Sequence, residues 1–200
     1  MTQRRVVMFN QVSADGFFSD SNGGLDWVVS DPEVHRRAVA SMPATDAMLF
    51  GRRTYENFAA FWPGALEQMN EAGPHGENKA DPGFVAMARW LDRTKKLVAS
   101  RTLSRADWNN SKIVPELTPA VVRALKREPG KDILIFGSGT VVSQLSAAGL
   151  IDEYRFVVCP VLLGSGRPLL QGAALRLKLS LKEAVALPSG NVLVTYEPQD

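Results

Sequence analysis

Asp132-Ile-Leu-Ile-Phe-Gly-Ser-Gly-Thr-Val-Val142 is the stretch whose reading decides the fold. Ile133 to Phe136 are four apolar residues in a row, the pattern of a strand covered on both faces. Gly137-Ser138-Gly139 lets the backbone approach a ligand closely. Thr140 to Ala148 can form a helix that Gly149 ends. A strand, a glycine turn and a helix start bring free N–H groups and the positive end of a helix dipole to one point, which suits phosphate. The same residues fit a plain strand-to-helix turn equally well. They are not a Rossmann fingerprint, because Val142 holds the third glycine position and Asp152 and Glu153 come too early for a ribose carboxylate. The Lys-Ser/Thr of a P-loop is missing too.

The bulk properties exclude several classes. Two hundred residues, 45% apolar and 22% charged, fit one domain over 1–200 with a sizeable core. A net charge of +2 gives no strong field for nucleic acid. No apolar run reaches the roughly 18 residues of a membrane span, and Met1-Thr-Gln-Arg-Arg-Val6 has no signal-peptide layout, so a cytoplasmic protein is expected. Cys159 is the sole cysteine, which rules out an intrachain disulfide and a cysteine-based zinc site. His35 and His75 are far apart in the chain, so no metal site is expected.

The chain in order alternates strands and helices. Strands are expected at Arg5–Val12, Thr45–Phe50, Lys95–Ser100, Ser111–Val114 and Ile151–Val161. Helices are expected after Asp31-Pro32, through Tyr55–Phe58, from Phe84 to Leu91, and after Thr118-Pro119. Residues 64 to 83 read as a polar excursion or lid. Leu175 to Lys182 alternates apolar and polar residues and should form a hairpin with Asn191–Glu197 across the Pro188-Ser-Gly190 turn. The expected fold is therefore α/β: a mostly parallel twisted sheet, helices on both faces, and an antiparallel C-terminal hairpin. Ligands of such sheets bind beyond the carboxyl ends of the strands.

Three junctions fall at such ends: Gly51-Arg52-Arg53-Thr54, Ser100-Arg101-Thr102 and Gly137-Ser138-Gly139-Thr140. Each offers backbone N–H groups, hydroxyls or guanidinium forks that match phosphate. A single arginine after a strand is usually a solvated helix cap. Three such ends on one edge suit a ligand with two separated phosphate groups.

At this point the chain resembles the dihydrofolate reductase-like superfamily. The nearest group is the reductase domain at the C-terminus of bifunctional riboflavin-biosynthesis deaminase-reductases, with its free-standing relatives. The resemblance rests on Val12-Ser-Ala-Asp-Gly16, Leu25-Asp-Trp27, Phe50-Gly-Arg-Arg-Thr-Tyr-Glu56, Val98-Ala-Ser-Arg-Thr102, Ile135-Phe-Gly-Ser-Gly-Thr140, Gly149-Leu-Ile-Asp-Glu153 and Pro160-Val-Leu-Leu-Gly-Ser-Gly166, in family order.

What this implies is NADPH as cofactor and hydride transfer to a pyrimidine- or pteridine-like substrate, of the 5-amino-6-(5-phosphoribosylamino)uracil reductase type. The alternative it implies is an NADPH-binding module of the same fold without catalysis. By family position, Gly51, Arg52, Arg53 and Thr54 meet the cofactor's phosphates. Ser100, Arg101 and Thr102 hold its 2′-phosphate and adenine side. Gly137, Ser138, Gly139, Thr140 and Val141 wrap the pyrophosphate and nicotinamide ribose. Val12 and Ala14 lie beside the nicotinamide, and Asn10, Phe18 and Trp27 surround the substrate ring. Asp15 and Asp31 are the candidate acids, although Asp15 is also a turn former and Asp31 an N-cap. Two departures stand out. Gly137-Ser138 replaces the Gly-Gly cis peptide of true dihydrofolate reductases, and Phe136 stands where riboflavin-pathway reductases carry an acid. The late hairpin exposes an apolar face, to be covered by a second copy in a homodimer or by the chain's own helices.

Overall fold

The computed structural model describes residues 3–65, 82–171 and 176–199. Eight strands form one sheet in the order β5-β4-β3-β6-β1-β7-β10-β9. They are β1 (Val6–Ser13), β3 (Thr45–Gly51), β4 (Lys95–Ala99), β5 (Ser111–Val114), β6 (Asp132–Phe136), β7 (Glu153–Cys159), β9 (Leu179–Ala186) and β10 (Val192–Pro198). From β5 to β7 every pairing is parallel; β10 runs antiparallel to both β7 and β9. The expected class is the observed one.

Among the described residues five α-helices cover the faces: α1 (Pro32–Ser41), α2 (Arg52–Phe61), α3 (Pro82–Arg93), α4 (Pro119–Arg127) and α5 (Gly139–Ala147). The continuous apolar runs explain why both faces need cover, since alternate residues of a strand point opposite ways. On β3, Ala47 and Leu49 join Val122, Val141, Val142 and Leu145 of α4 and α5. Met48 and Phe50 join Tyr55, Met87 and Leu91 of α2 and α3. Both clusters are buried, so β3 has no solvent face to mark with polar residues.

Three readings shift. The hairpin strand begins at Leu179 and runs to Ala186, not from 175 to 182. Its alternation is broken because Leu181 is largely exposed and the ladder slips at Thr195/Tyr196; residue 175 lies outside the described residues. Phe17-Phe18-Ser19 is not a lead into a loop but a short strand, β2 (Phe17–Ser19), pairing antiparallel with β8 (Arg167–Pro168). The excursion expected at 64–83 falls mainly on residues outside the description, and α3 starts at Pro82.

Lys96 is the largest polar side chain to be fully buried among the described residues. Its ammonium donates to the carbonyls of Asp92 (3.1 Å), Thr94 (2.9 Å) and Asn109 (2.8 Å) and lies 4.2 Å from the Trp108 ring centroid. It ties the carboxyl end of α3 to the turn before β5, where the helix dipole favours a cation.

Candidate functional site

β4, β3 and β6 are adjacent and parallel, so the three junctions leave the sheet side by side. They are also bonded to one another. Ser138 Oγ accepts from the Gly51 amide (2.7 Å) and donates to Thr54 Oγ1 (3.0 Å). Arg52 Nη1 donates to Thr102 Oγ1 (2.8 Å), while its Nε donates to Glu56 (2.7 Å). Ser100 Oγ accepts from the amides of Leu103 (2.9 Å) and Thr102 (3.2 Å), closing the turn after β4.

The turn after β6 takes two consecutive left-handed residues, Gly137 at φ 54° and Ser138 at φ 61°. A non-glycine residue there costs roughly 1–2 kcal/mol, and the buried Ser138 hydroxyl's bonds to β3 and α2 offset it. All described peptide bonds are trans, including 137–138.

The helix starts carry the electrostatic signal. α1 is capped by Asp31, which accepts from the Glu33 amide (2.7 Å), and α4 by Thr118, which accepts from Val121 (3.3 Å). α2 and α5 have no side-chain cap and no acid in the first turn. Their orphan N–H groups and positive dipole ends both face the same cleft, and an anion is the group that satisfies them.

That cleft has a volume of about 1710 Å³. It is lined by Asn10, Phe18, Asp31, Gly51, Arg52, Arg53, Thr54, Ser100, Arg101, Thr102 and the whole turn Gly137–Val141. Fifteen of the nineteen expected site residues therefore come together. Arg53 and Arg101 are exposed, and their side chains make no hydrogen bond or ion pair among the described residues. Phe136 packs edge-on to Phe9 (5.5 Å) and tilted to Phe58 (5.7 Å), and all three rings line the cleft, an apolar floor suited to a flat ring. Asn10 is buried, with Nδ2 3.4 Å from the Gly137 carbonyl.

Four expected site residues stand elsewhere. Val12 is buried in the core cluster of α5. The Ala14 amide donates to Val161 (2.8 Å), so its backbone is committed to the loop after β7. Trp27 packs on the cluster of Val34, Val157, Cys159 and Leu187, its Nε1 donating to the Gly24 carbonyl (3.2 Å). Asp15 is a brace: its carboxylate accepts from Ser13 Oγ (2.6 Å) and from the amides of Leu163 (3.1 Å) and Gly164 (2.7 Å). The Ser13 hydroxyl above all, then the Gly164 and Leu163 amides, hold its pKa below the usual carboxylate range. Its three donors favour the ionised form, and the geometry makes Asp15 a brace of the loop after β7. Because its pKa is lowered, the brace is present above the ordinary carboxylate range and is lost as pH falls through the lowered value. Asp15→Ala is expected to speed hydrogen exchange at the Leu163 and Gly164 amides at neutral pH. Unchanged exchange would refute the brace.

Asp31 is the N-cap expected of it and also faces the cleft. It is buried, caps α1 through Oδ1, and lines the cleft. His35, Gln144, Arg167 and Gln171 also line it and were not legible as site residues. Arg167 reaches the cleft through the β2–β8 pairing, for which its neighbours Leu163-Gly-Ser-Gly166 gave only a turn signal.

A mostly parallel sheet with an antiparallel C-terminal hairpin, opening a cleft at the carboxyl ends of its central strands, is the dihydrofolate reductase-like arrangement. Within it, the chain belongs to the RibD C-terminal domain family, whose model matches residues 4–193. It is 29% identical over 196 residues to uncharacterized protein YyaP of Bacillus subtilis (strain 168), covering 98% of this chain and 96% of that one. Among solved structures it is similar to a putative riboflavin biosynthesis protein from Shewanella sp. PV-4, with TM-score 0.73 and 21% identity over 98% of this chain and 99% of the other. It is also similar to dihydrofolate reductase from Enterococcus faecalis, solved with NADP(H) and RAB-propyl. There the TM-score is 0.61 and the identity 10%, over 99% and 98% of the two chains. At these identities the structural likenesses establish the fold.

Proposed function

We propose that the protein is an NADPH-dependent reductase that transfers hydride to a pyrimidine- or pteridine-like heterocycle, in the manner of a 5-amino-6-(5-phosphoribosylamino)uracil reductase. The observation that carries this reading is the pair of uncapped helix starts, α2 and α5, set beside three guanidinium groups at adjacent strand ends. NADPH fits that donor set. The amides at Arg52–Thr54 and Gly139–Val141 would take its pyrophosphate. Arg52, Arg53 and Arg101, with Ser100 and Thr102, would take the 2′-phosphate. Glycine at 139 leaves the helix start bare, since a Cβ there would lie 2.8 Å from Phe18 Cε1. When bound, the cofactor supplies the hydride. The chain's own part is to orient the heterocycle over Phe9, Phe58 and Phe136. Asp31 Oδ2 is left to hold a ring N–H and stands as the candidate proton source.

The preference for NADPH over NADH is expected to be at least tenfold, about 1.4 kcal/mol, which one guanidinium–phosphate pair can supply. Titrating both cofactors against intrinsic tryptophan fluorescence measures it, and equal affinities would overturn the assignment of the arginines. A second reading, an NADPH-binding module without turnover, is favoured by Phe136 in the place of an acid. A panel of aminouracil ribosyl phosphate, dihydropterins and dihydrofolate separates the two, because NADPH binding without oxidation by any of them supports the module.

A further inference from the structure

Arg167 stands on the far side of the glycine turn from Arg52, Arg53 and Arg101. It lines the cleft and is half-buried. Its position is set by several contacts. In the β2–β8 ladder it pairs with Ser19. Gly166 before it comes so close that a Cβ would lie 2.4 Å from the Ser19 carbonyl. The Asp15 carboxylate holds the loop leading in through Leu163 and Gly164.

The guanidinium lies flat on Gly23. A Cβ placed on Gly23 would be 3.5 Å from Nη1, 3.6 Å from Cζ and 3.6 Å from Nη2. Near-equal distances to all three atoms mean that the face of the group, not its edge, meets the glycine. The N–H donors radiate in the plane of the group, so that contact uses none of them. Nor does anything else: among the described residues the Arg167 side chain has no hydrogen bond and no ion pair. Asp20, the acid of the facing loop, spends Oδ1 on the amides of Asn22 (2.8 Å) and Gly24 (2.7 Å). Its backbone is fixed by the ladder to β2, and its donors, which keep contact with solvent, are left to the cleft.

We propose that Arg167 is the anion-recognition residue of the substrate end of the cleft. Its fork takes an oxyanion, phosphate or carboxylate, tethered to the heterocycle. This rests on the reading of the cleft as a joint cofactor and substrate site. The cofactor's phosphates have their own donors at α2, α5 and the three arginines, which leaves Arg167 for a different anion.

The test measures the binding of ribose 5-phosphate, ribonate and ribose by calorimetry. The protein is saturated with NADPH, or free should NADPH not bind. Wild type is expected to hold both anions at least tenfold tighter than ribose. Arg167→Met and Arg167→Gln are expected to abolish that difference with NADPH affinity changed less than twofold and melting temperature retained. Arg167→Lys should keep part of the phosphate advantage. No anion advantage in wild type, or an advantage that survives in both neutral variants, overturns the proposal. NADPH weakened tenfold, with the sugars unmoved, assigns the anion to the cofactor and also overturns it. Because the readout is binding, failure of every heterocycle to be reduced would remove the reductase reading without deciding the role of Arg167.

Discussion

Gly139→Val is expected to abolish measurable NADPH binding and to lower the melting temperature by roughly 4–12 °C, taking about 2–4 °C per kcal/mol at this size. The start of α5 has no room for a side chain. A Cβ at 139 would lie 2.8 Å from Phe18 Cε1, 2.9 Å from Phe18 Cζ and 3.2 Å from the Leu169 carbonyl oxygen. The ring is held by the β2–β8 ladder, and the carbonyl accepts from Ser143 Oγ (3.2 Å), so neither yields without moving the small sheet. Overpacking of this kind costs about 1–3 kcal/mol, and a branched side chain sits at the upper end. The displaced helix start would also leave the bonds that join Ser138 to Gly51 and Thr54. Fluorescence titration and thermal melting read the two effects. Undiminished NADPH affinity in a folded variant would show that the α5 amides do not hold the cofactor.

Lys96→Met is expected to destabilise the fold by at least about 3 kcal/mol. It takes the donor from the buried Thr94 carbonyl and from the partly buried carbonyls of Asp92 and Asn109, at about 1–3 kcal/mol for a carbonyl left unpaired, with Asp92 keeping Asn110 Nδ2 at 3.4 Å, and it removes the cation from the Trp108 face. Burial also pushes the Lys96 ammonium down from 10.5 to about 8. Between these values the unfolded chain binds more protons than the folded one, so this group makes stability rise with pH from about 8 to 10.5. Urea unfolding of both proteins across that range should show the advantage of wild type over Lys96→Met growing with pH. A constant difference would mean that Lys96 keeps its ordinary proton affinity.

Much of the architecture was legible because both faces of the sheet are buried. Ile133–Phe136 and Ala47–Phe50 are continuous apolar runs for that reason, and Asp31-Pro32 and Thr118-Pro119 announce helix starts by local chemistry. The hairpin boundary at Leu179 was less legible, because an edge strand is not required to alternate once its partner β10 slips at Thr195.

The site divides in the same way. The glycine and arginine junctions were readable, since a turn between a buried strand and a helix demands particular residues wherever it occurs. Asp15 and Trp27 were not. Their letters suit a ligand as well as a loop, and the choice depends on the amides of Leu163 and Gly164 and on the apolar cluster of Cys159, both remote in sequence. Arg167 was missed for the converse reason, because nothing local marks a cation as unpaired.

By itself, then, the sequence determined the class of fold and the three strand ends, both consequences of local pattern, while the absence of a side-chain cap at α5 came from the structure, where the Ser138 hydroxyl turns to Gly51 and Thr54. Only the tertiary structure decided that β4, β3 and β6 are neighbours, so that Gly51 and Ser138, 87 positions apart, share a hydrogen bond. It also decided which polar side chains are spent on loops and which, like Arg167, are left facing the cleft. The physical reason is that strand order and side-chain partnership are set by long-range pairing and burial, which no short window of residues encodes.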